Sequence, residues 1–151
     1  MADIPGVIVV PLARHSDSRG WLLELFRSDE LPPGFEPAMG YVSLTLPGVT
    51  RGPHEHRFQT DGFVFFDGEY ELYLWENRDG HDDQKVTLKV GSEVPAAVFV
   101  PPGVVHAYRN CGASSAMVMN FPDRLYAGPG RSEEVDEIRH EADPGTRFKV
   151  L

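Results

Sequence analysis

Apolar and polar residues alternate at period two over most of the chain, in runs of about six residues broken by Gly and Pro clusters. This is the pattern of an all-β protein. Strands are predicted over residues 6–10, 21–26, 41–46, 62–66, 70–76, 85–90, 97–100, 106–110 and 116–121. The thirteen prolines and fifteen glycines gather in LPPG, LPGVTRGP, VPPG and YAGPGR, where strand hydrogen bonding has to stop. After Gly130 the pattern changes. The stretch SEEVDEIRHEADPG is acidic, Val135 and Ile138 lie three apart, and Ser132 is a suitable cap, so one short helix is predicted there. The aromatic group Phe63, Phe65, Phe66, Tyr70, Tyr73 and Trp75 is assigned to packing, with some members turned to a cavity by the alternation.

Length and charge narrow this picture. A chain of 151 residues suits one domain, residues 1–151, with the acidic segment 129–151 packed on or flanking it as a solvated or lid-like element. A formal charge of −9 and a pI near 5.0 argue against nucleic acid or an anionic membrane surface as partners. An anionic small ligand remains compatible, held locally by a few arginines. Cys111 is the single cysteine, so no internal disulfide forms, and MADIPGVIVVPL lacks the basic lead of a secretory signal. A soluble cytoplasmic protein is expected, since nothing approaches the roughly 18 apolar residues of a membrane span.

The chemistry concentrates in GVTRGPHEHRFQTDGFVFFDG. On a strand His54 and His56 project from the same face, and Asp61 follows after a bend. A third imidazole, His106, comes from PPGVVHAYRN, while His15, His81 and His140 sit in polar contexts and are expected to be solvated. The spacing of Gly48, His54, His56, Asp61 and Gly68, then Pro101, Gly103, His106 and Asn110, resembles the two motifs of the cupin superfamily. That resemblance implies a cupin fold, a double-stranded β-helix or jelly-roll barrel. His54, His56, Asp61 and His106 are also a set of three imidazoles and one carboxylate able to hold Zn, Mn, Fe, Ni or Cu.

Most of the chain resembles the dTDP-4-dehydrorhamnose 3,5-epimerases and their short dTDP-sugar isomerase relatives. The matching residues are Asp17, Arg19, Gly20 and Glu24 in HSDSRGWLLELFR, then Arg51, Gly52, His54 and Gln59, then Pro101, Gly103 and His106, with Tyr126 following Asn120. The resemblance implies an isomerase of a nucleotide-activated 4-keto-6-deoxy sugar, serving deoxysugar and polysaccharide biosynthesis without a cofactor. A C4 ketone acidifies C3 and C5, so a neutral histidine, His54, can abstract a proton to form an enolate. In this scheme His56 is the second catalytic histidine, Arg19 and Arg51 take the diphosphate, and Glu24, Gln59, His106, Asn120 and Tyr126 complete the substrate site. Asn120 stands where the family has its acid tyrosine, and the chain stops at Leu151, before the region that supplies the longer members' aspartate. RGPHEH also resembles the RGxHxH of dTDP-sugar 3,4-ketoisomerases, in which both histidines act. The remaining alternatives are a metal-dependent cupin, either dioxygenase or isomerase, and a non-catalytic sugar-nucleotide binder. GVIVV is an open N-terminal edge strand, and the resemblance implies that a second subunit pairs over it, so a homodimer is expected.

Overall fold

The computed structural model describes residues 3–150. One antiparallel sheet has the order β1 (Ile8–Pro11), β9 (Ala96–Val100), β6 (Asp61–Phe65), β11 (Ala116–Asn120), β4 (Tyr41–Thr45). The second runs β12 (Ile138–Arg139), β5 (Thr50–Glu55), β10 (Val104–Asn110), β7 (Glu69–Glu76), β8 (Lys85–Gly91), and β2 (Arg14–Asp17) pairs with β3 (Gly20–Leu23) as a separate hairpin. This is the expected all-β jelly-roll barrel. Each predicted strand has a counterpart whose ends differ by up to three residues.

The long apolar runs follow from burial on both faces. Phe63, Phe65, Leu72, Leu74, Val98, Val104 and Val118 fill the space between the sheets. Outside the first sheet, Val64, Ala97 and Phe99 pack under Phe35. Outside the second, Tyr73, Trp75, Val105 and Ala107 are covered by Phe148. The aromatic group is therefore mainly packing, as expected. No helix among the described residues is long and apolar enough to cross a membrane.

Three strands escaped the sequence reading: β2, β5 and β12. TRGPHE in β5 carries little apolar character because its inner face borders a cavity, and pairing with β10 fixes it instead. The helix predicted after Gly130 does not form. Ile138 and Arg139 pair with Glu55 and His54, so strand addition to β5 overrides the weak i,i+3 pattern. His140, expected to be solvated, is largely buried and donates from Nε2 to Glu55 Oε1 at 2.8 Å. His15 is exposed, and His81 lies 3.8 Å from Glu76.

Gly52 explains the glycine in RGPHEH. Its φ is +89°, and a Cβ there would stand 2.5 Å from the His106 carbonyl oxygen, where β10 shifts register against β5. Gly52→Ala should cost about 3 kcal/mol or more through backbone strain plus overpacking. Gly34→Ala, at φ +80° with nothing within 4 Å, should cost about 1 kcal/mol. Urea unfolding of both variants measures the difference, and equal losses would refute the close approach.

Candidate functional site

A cavity of about 1040 Å³ opens between β4 and β5, bordered further by residues from 122–129 and 133–141. His54, on β5, and His56, the first residue after that strand, project into it, while Glu55 between them points outward to Asn77 and His140. His106 stands directly opposite His54 in the β5–β10 register, with ring centroids 4.5 Å apart.

Asp61 organises the floor. Its Oδ2 lies 3.0 Å from His56 Nε2 and 3.1 Å from His106 Nε2, and its Oδ1 accepts from Gln59 Nε2 at 2.7 Å and Asn120 Nδ2 at 3.0 Å. Burial would raise its pKa, but the contacts with His106 and His56 outweigh burial and hold the carboxyl well below its ordinary range. Burial likewise opposes charge on His56, yet Asp61 and the Asp136 carbonyl, to which His56 Nδ1–H donates, raise it to about 9. His56 is therefore an imidazolium at neutral pH. His54 is driven the other way. Burial, then the neighbouring His106, pushes it down to about 2, so it stays neutral. Two carboxylates, Glu137 and Glu141, each stand 3.9 Å from His54 Nδ1, placed to stabilise positive charge that a proton would bring.

The structure brings together only part of the predicted site. His54, His56, Arg51, Gln59 and Tyr126 line the cavity. Arg51 is anchored by Nε to Thr45 Oγ1 at 2.9 Å and Nη2 to the Leu44 carbonyl at 2.7 Å. Gln59 spends its amide donor on Asp61. His106 and Asn120 are buried behind the lining, each 1% exposed, so neither meets a ligand directly. Asn120 instead takes the Gly62 N–H on Oδ1 and donates from Nδ2 to the Tyr41 hydroxyl at 2.8 Å. Arg19 and Glu24 lie outside the cavity of their own chain: Arg19, at the turn of the β2–β3 hairpin, pairs with Asp17 at 2.6 Å, and Glu24 is exposed beyond β3.

Other lining residues went unrecognised in the sequence: Tyr41, Arg57, Arg124, Asp136, Glu137 and Arg139. Asp136 is the structural one. Its carboxylate accepts the backbone N–H groups of Arg57, Phe58 and Gln59 at 2.7–3.0 Å, locking the turn after His56. The acidic tail is thus partly a bound strap. Its local pattern carries no strand signal, because the apolar residues Val135 and Ile138 lie three apart.

For a metal, the ligand nitrogens of His54, His56 and His106 come within 4.8 Å of one another. Asp61 Oδ2 approaches Nε2 of both His56 and His106, so a cation bound here would compete with these contacts for the same imidazole nitrogens.

A family model describing a polysaccharide biosynthesis C-terminal domain matches residues 15–131. Among curated proteins, the chain is 31% identical over 137 residues to a probable low-salt glycan biosynthesis epimerase of Haloferax volcanii, covering 89% of this chain and 88% of the relative. It is 33% identical over 134 residues to a spore coat polysaccharide biosynthesis protein of Bacillus subtilis, covering 87% of each. Among solved structures, a dTDP sugar isomerase from Desulfovibrio desulfuricans superposes with a TM-score of 0.83 at 20% identity, over 97% of this chain and 91% of that one. The expected likeness in fold to the dTDP-sugar isomerases therefore holds.

The two histidines make opposite contributions to stability. His56, raised above the unfolded value of about 6.5, stabilises fully below that pH, and the contribution is lost as pH rises through about 9. His54, depressed in the fold, costs stability as pH falls below about 6.5, because the unfolded chain then binds the proton. Melting temperatures across pH should lose their alkaline decline in His56→Asn and part of their acid decline in His54→Asn. An unchanged alkaline limb in His56→Asn would contradict the imidazolium assignment.

Proposed function

The chain belongs to the polysaccharide biosynthesis C-terminal domain family, and from that membership we propose that it is an isomerase or epimerase of a nucleotide-activated 4-keto-6-deoxy sugar. The observation that carries this reading is the arrangement on the cavity floor: His56 held between Asp61 and the Asp136 carbonyl, which favours an imidazolium, beside a buried His54 whose nearest carboxylates stand 3.9 Å away and which stays neutral. A base for a C–H beside a ketone must be unprotonated, and the enolate oxygen it creates is stabilised by a nearby cation. His54 takes the proton, His56 faces the developing oxyanion, and Glu137 and Glu141 support the imidazolium that His54 becomes. The name of the Haloferax relative, an epimerase, and that of the Desulfovibrio structure, a dTDP sugar isomerase, point the same way.

Arg51, Arg57 and Arg124 line the cavity of an otherwise acidic protein and offer charge-assisted donors to a diphosphate. Tyr126, a lining residue 56% exposed, is suited to stack on a base or sugar. Gln59 lines the cavity and orients Asp61, while His106 and Asn120 act from behind the lining, on Asp61 and the Tyr41 hydroxyl.

A cytoplasmic homodimer belongs to the same reading. β1 and β4 are the edges of the first sheet, and β4 presents Val42 and Leu44, 54% and 56% exposed, with Met117 beside them. Arg19 and Glu24 enter the substrate site through the hairpin of a second copy. Light scattering should give twice the chain mass; a monomer at micromolar concentration would remove Arg19 and Glu24 from the site.

The chemistry is tested by NMR in deuterated water with chelator-treated protein and dTDP-4-keto-6-deoxyglucose. Deuterium should enter at C3 or C5, and the product should distinguish epimerase from 3,4-ketoisomerase. His54→Asn should lose exchange by about 100-fold or more while dTDP affinity stays near wild type. Arg51→Ala should chiefly weaken dTDP binding, by about tenfold. Full exchange in His54→Asn would overturn the base assignment, and exchange only after metal is restored would favour a metal-dependent cupin.

A further inference from the structure

We infer that Tyr41 is a catalytic acid, delivering a proton to the sugar carbon from the wall opposite His54. This rests on the reading of the cavity as a 4-keto sugar nucleotide site.

The placement comes from strand register. In the first sheet Tyr41, Asn120 and Phe63 form one row across β4, β11 and β6. In the second sheet His54 and His106 form the matching row across β5 and β10. The rows meet where Phe63 and His106 touch, with ring centroids 5.3 Å apart. Tyr41 therefore stands at the edge of its row and His54 near the edge of the other, with only the short β12 beyond it, and both line the cavity into which the rows open.

The hydrogen bonds fix where the Tyr41 proton points. Asn120 Oδ1 is taken by the Gly62 N–H at 3.1 Å, so its amide nitrogen must face the other way. That nitrogen donates both of its hydrogens, one to Asp61 Oδ1 at 3.0 Å and one to the Tyr41 oxygen at 2.8 Å. The Tyr41 hydroxyl is thus an acceptor toward the protein. Among the described residues no acceptor takes its own hydrogen, which is left for the cavity. Although the residue is 47% exposed, burial raises the hydroxyl's pKa to about 12, against the opposing hydrogen bond from Asn120. It therefore carries its proton at neutral pH.

The proton balance closes without a cofactor. His54 breaks the C–H bond, and the electron pair forms the enolate. The Tyr41 O–H bond then breaks as a new C–H bond forms on the opposite face and the ketone is restored. His54 releases its proton to water, and the Tyr41 phenolate takes one from water.

Tyr41→Phe deletes one oxygen from a half-exposed ring, and unchanged dTDP affinity by calorimetry verifies that the cavity persists. With dTDP-4-keto-6-deoxyglucose in deuterated water, this variant should still exchange deuterium, since His54 can remove a proton and return a deuteron on the same face. Inverted product should fall by about 100-fold or more. Inverted product at the wild-type rate, or loss of exchange together with product, would overturn the role of Tyr41. Absence of exchange in the wild-type protein would instead sink the underlying assignment of the cavity.

Discussion

A carboxylate 1% exposed inside a barrel is the constraint on which the rest of this structure turns. An unpaired buried charge costs several kcal/mol, so Asp61 is tolerable only with compensating groups close around it. They come from both sheets and the turn between β5 and β6: His106 of the second sheet and His56 just past β5 approach Oδ2, while Asn120 of the first sheet and Gln59 of the turn donate to Oδ1. Meeting that demand fixes the rings of two histidines and the amide of Asn120 at once. It also joins the sheets at the cavity floor by electrostatics, where apolar packing gives way to space for a ligand.

The same carboxylate sets two neighbouring imidazoles apart in charge. His56 faces oxygen at both ring nitrogens and is held protonated, whereas His54, one strand position pair away, has no oxygen closer than 3.9 Å among its ion-pair partners and stays neutral. Two groups of one chemical kind thus take opposite roles from their surroundings, which is how a small site supplies both a base and a cation at one pH. The strap after residue 132 is part of this arrangement. Its Asp136 carbonyl completes the His56 environment, its Asp136 carboxylate fixes the turn after His56, and Glu137 and Glu141 approach His54.

Much of the fold was legible in the sequence because burial is written as alternation or as short apolar runs, and because glycine and proline mark where strands stop. The histidines were legible for the same reason: HEH on a strand puts both rings on one face whatever lies around them. β5 was less visible, since a strand lining a polar cavity loses its apolar signature. The strap read as a solvated helix because its hydrogen-bond partners, Glu55 and the backbone of residues 57–59, lie about 80 positions away in the chain.

By itself, then, the sequence determined an all-β barrel, its turns, and the face shared by His54 and His56, all consequences of local period and backbone chemistry. Only the tertiary structure decided which histidine is charged, that Asn120 serves Tyr41 instead of a ligand, that Arg19 and Glu24 stand outside their own cavity, and that the acidic tail closes over the site. The physical reason is that charge state and hydrogen-bond direction depend on atoms about 3 Å away in space, and those neighbours come from strands that no local pattern pairs.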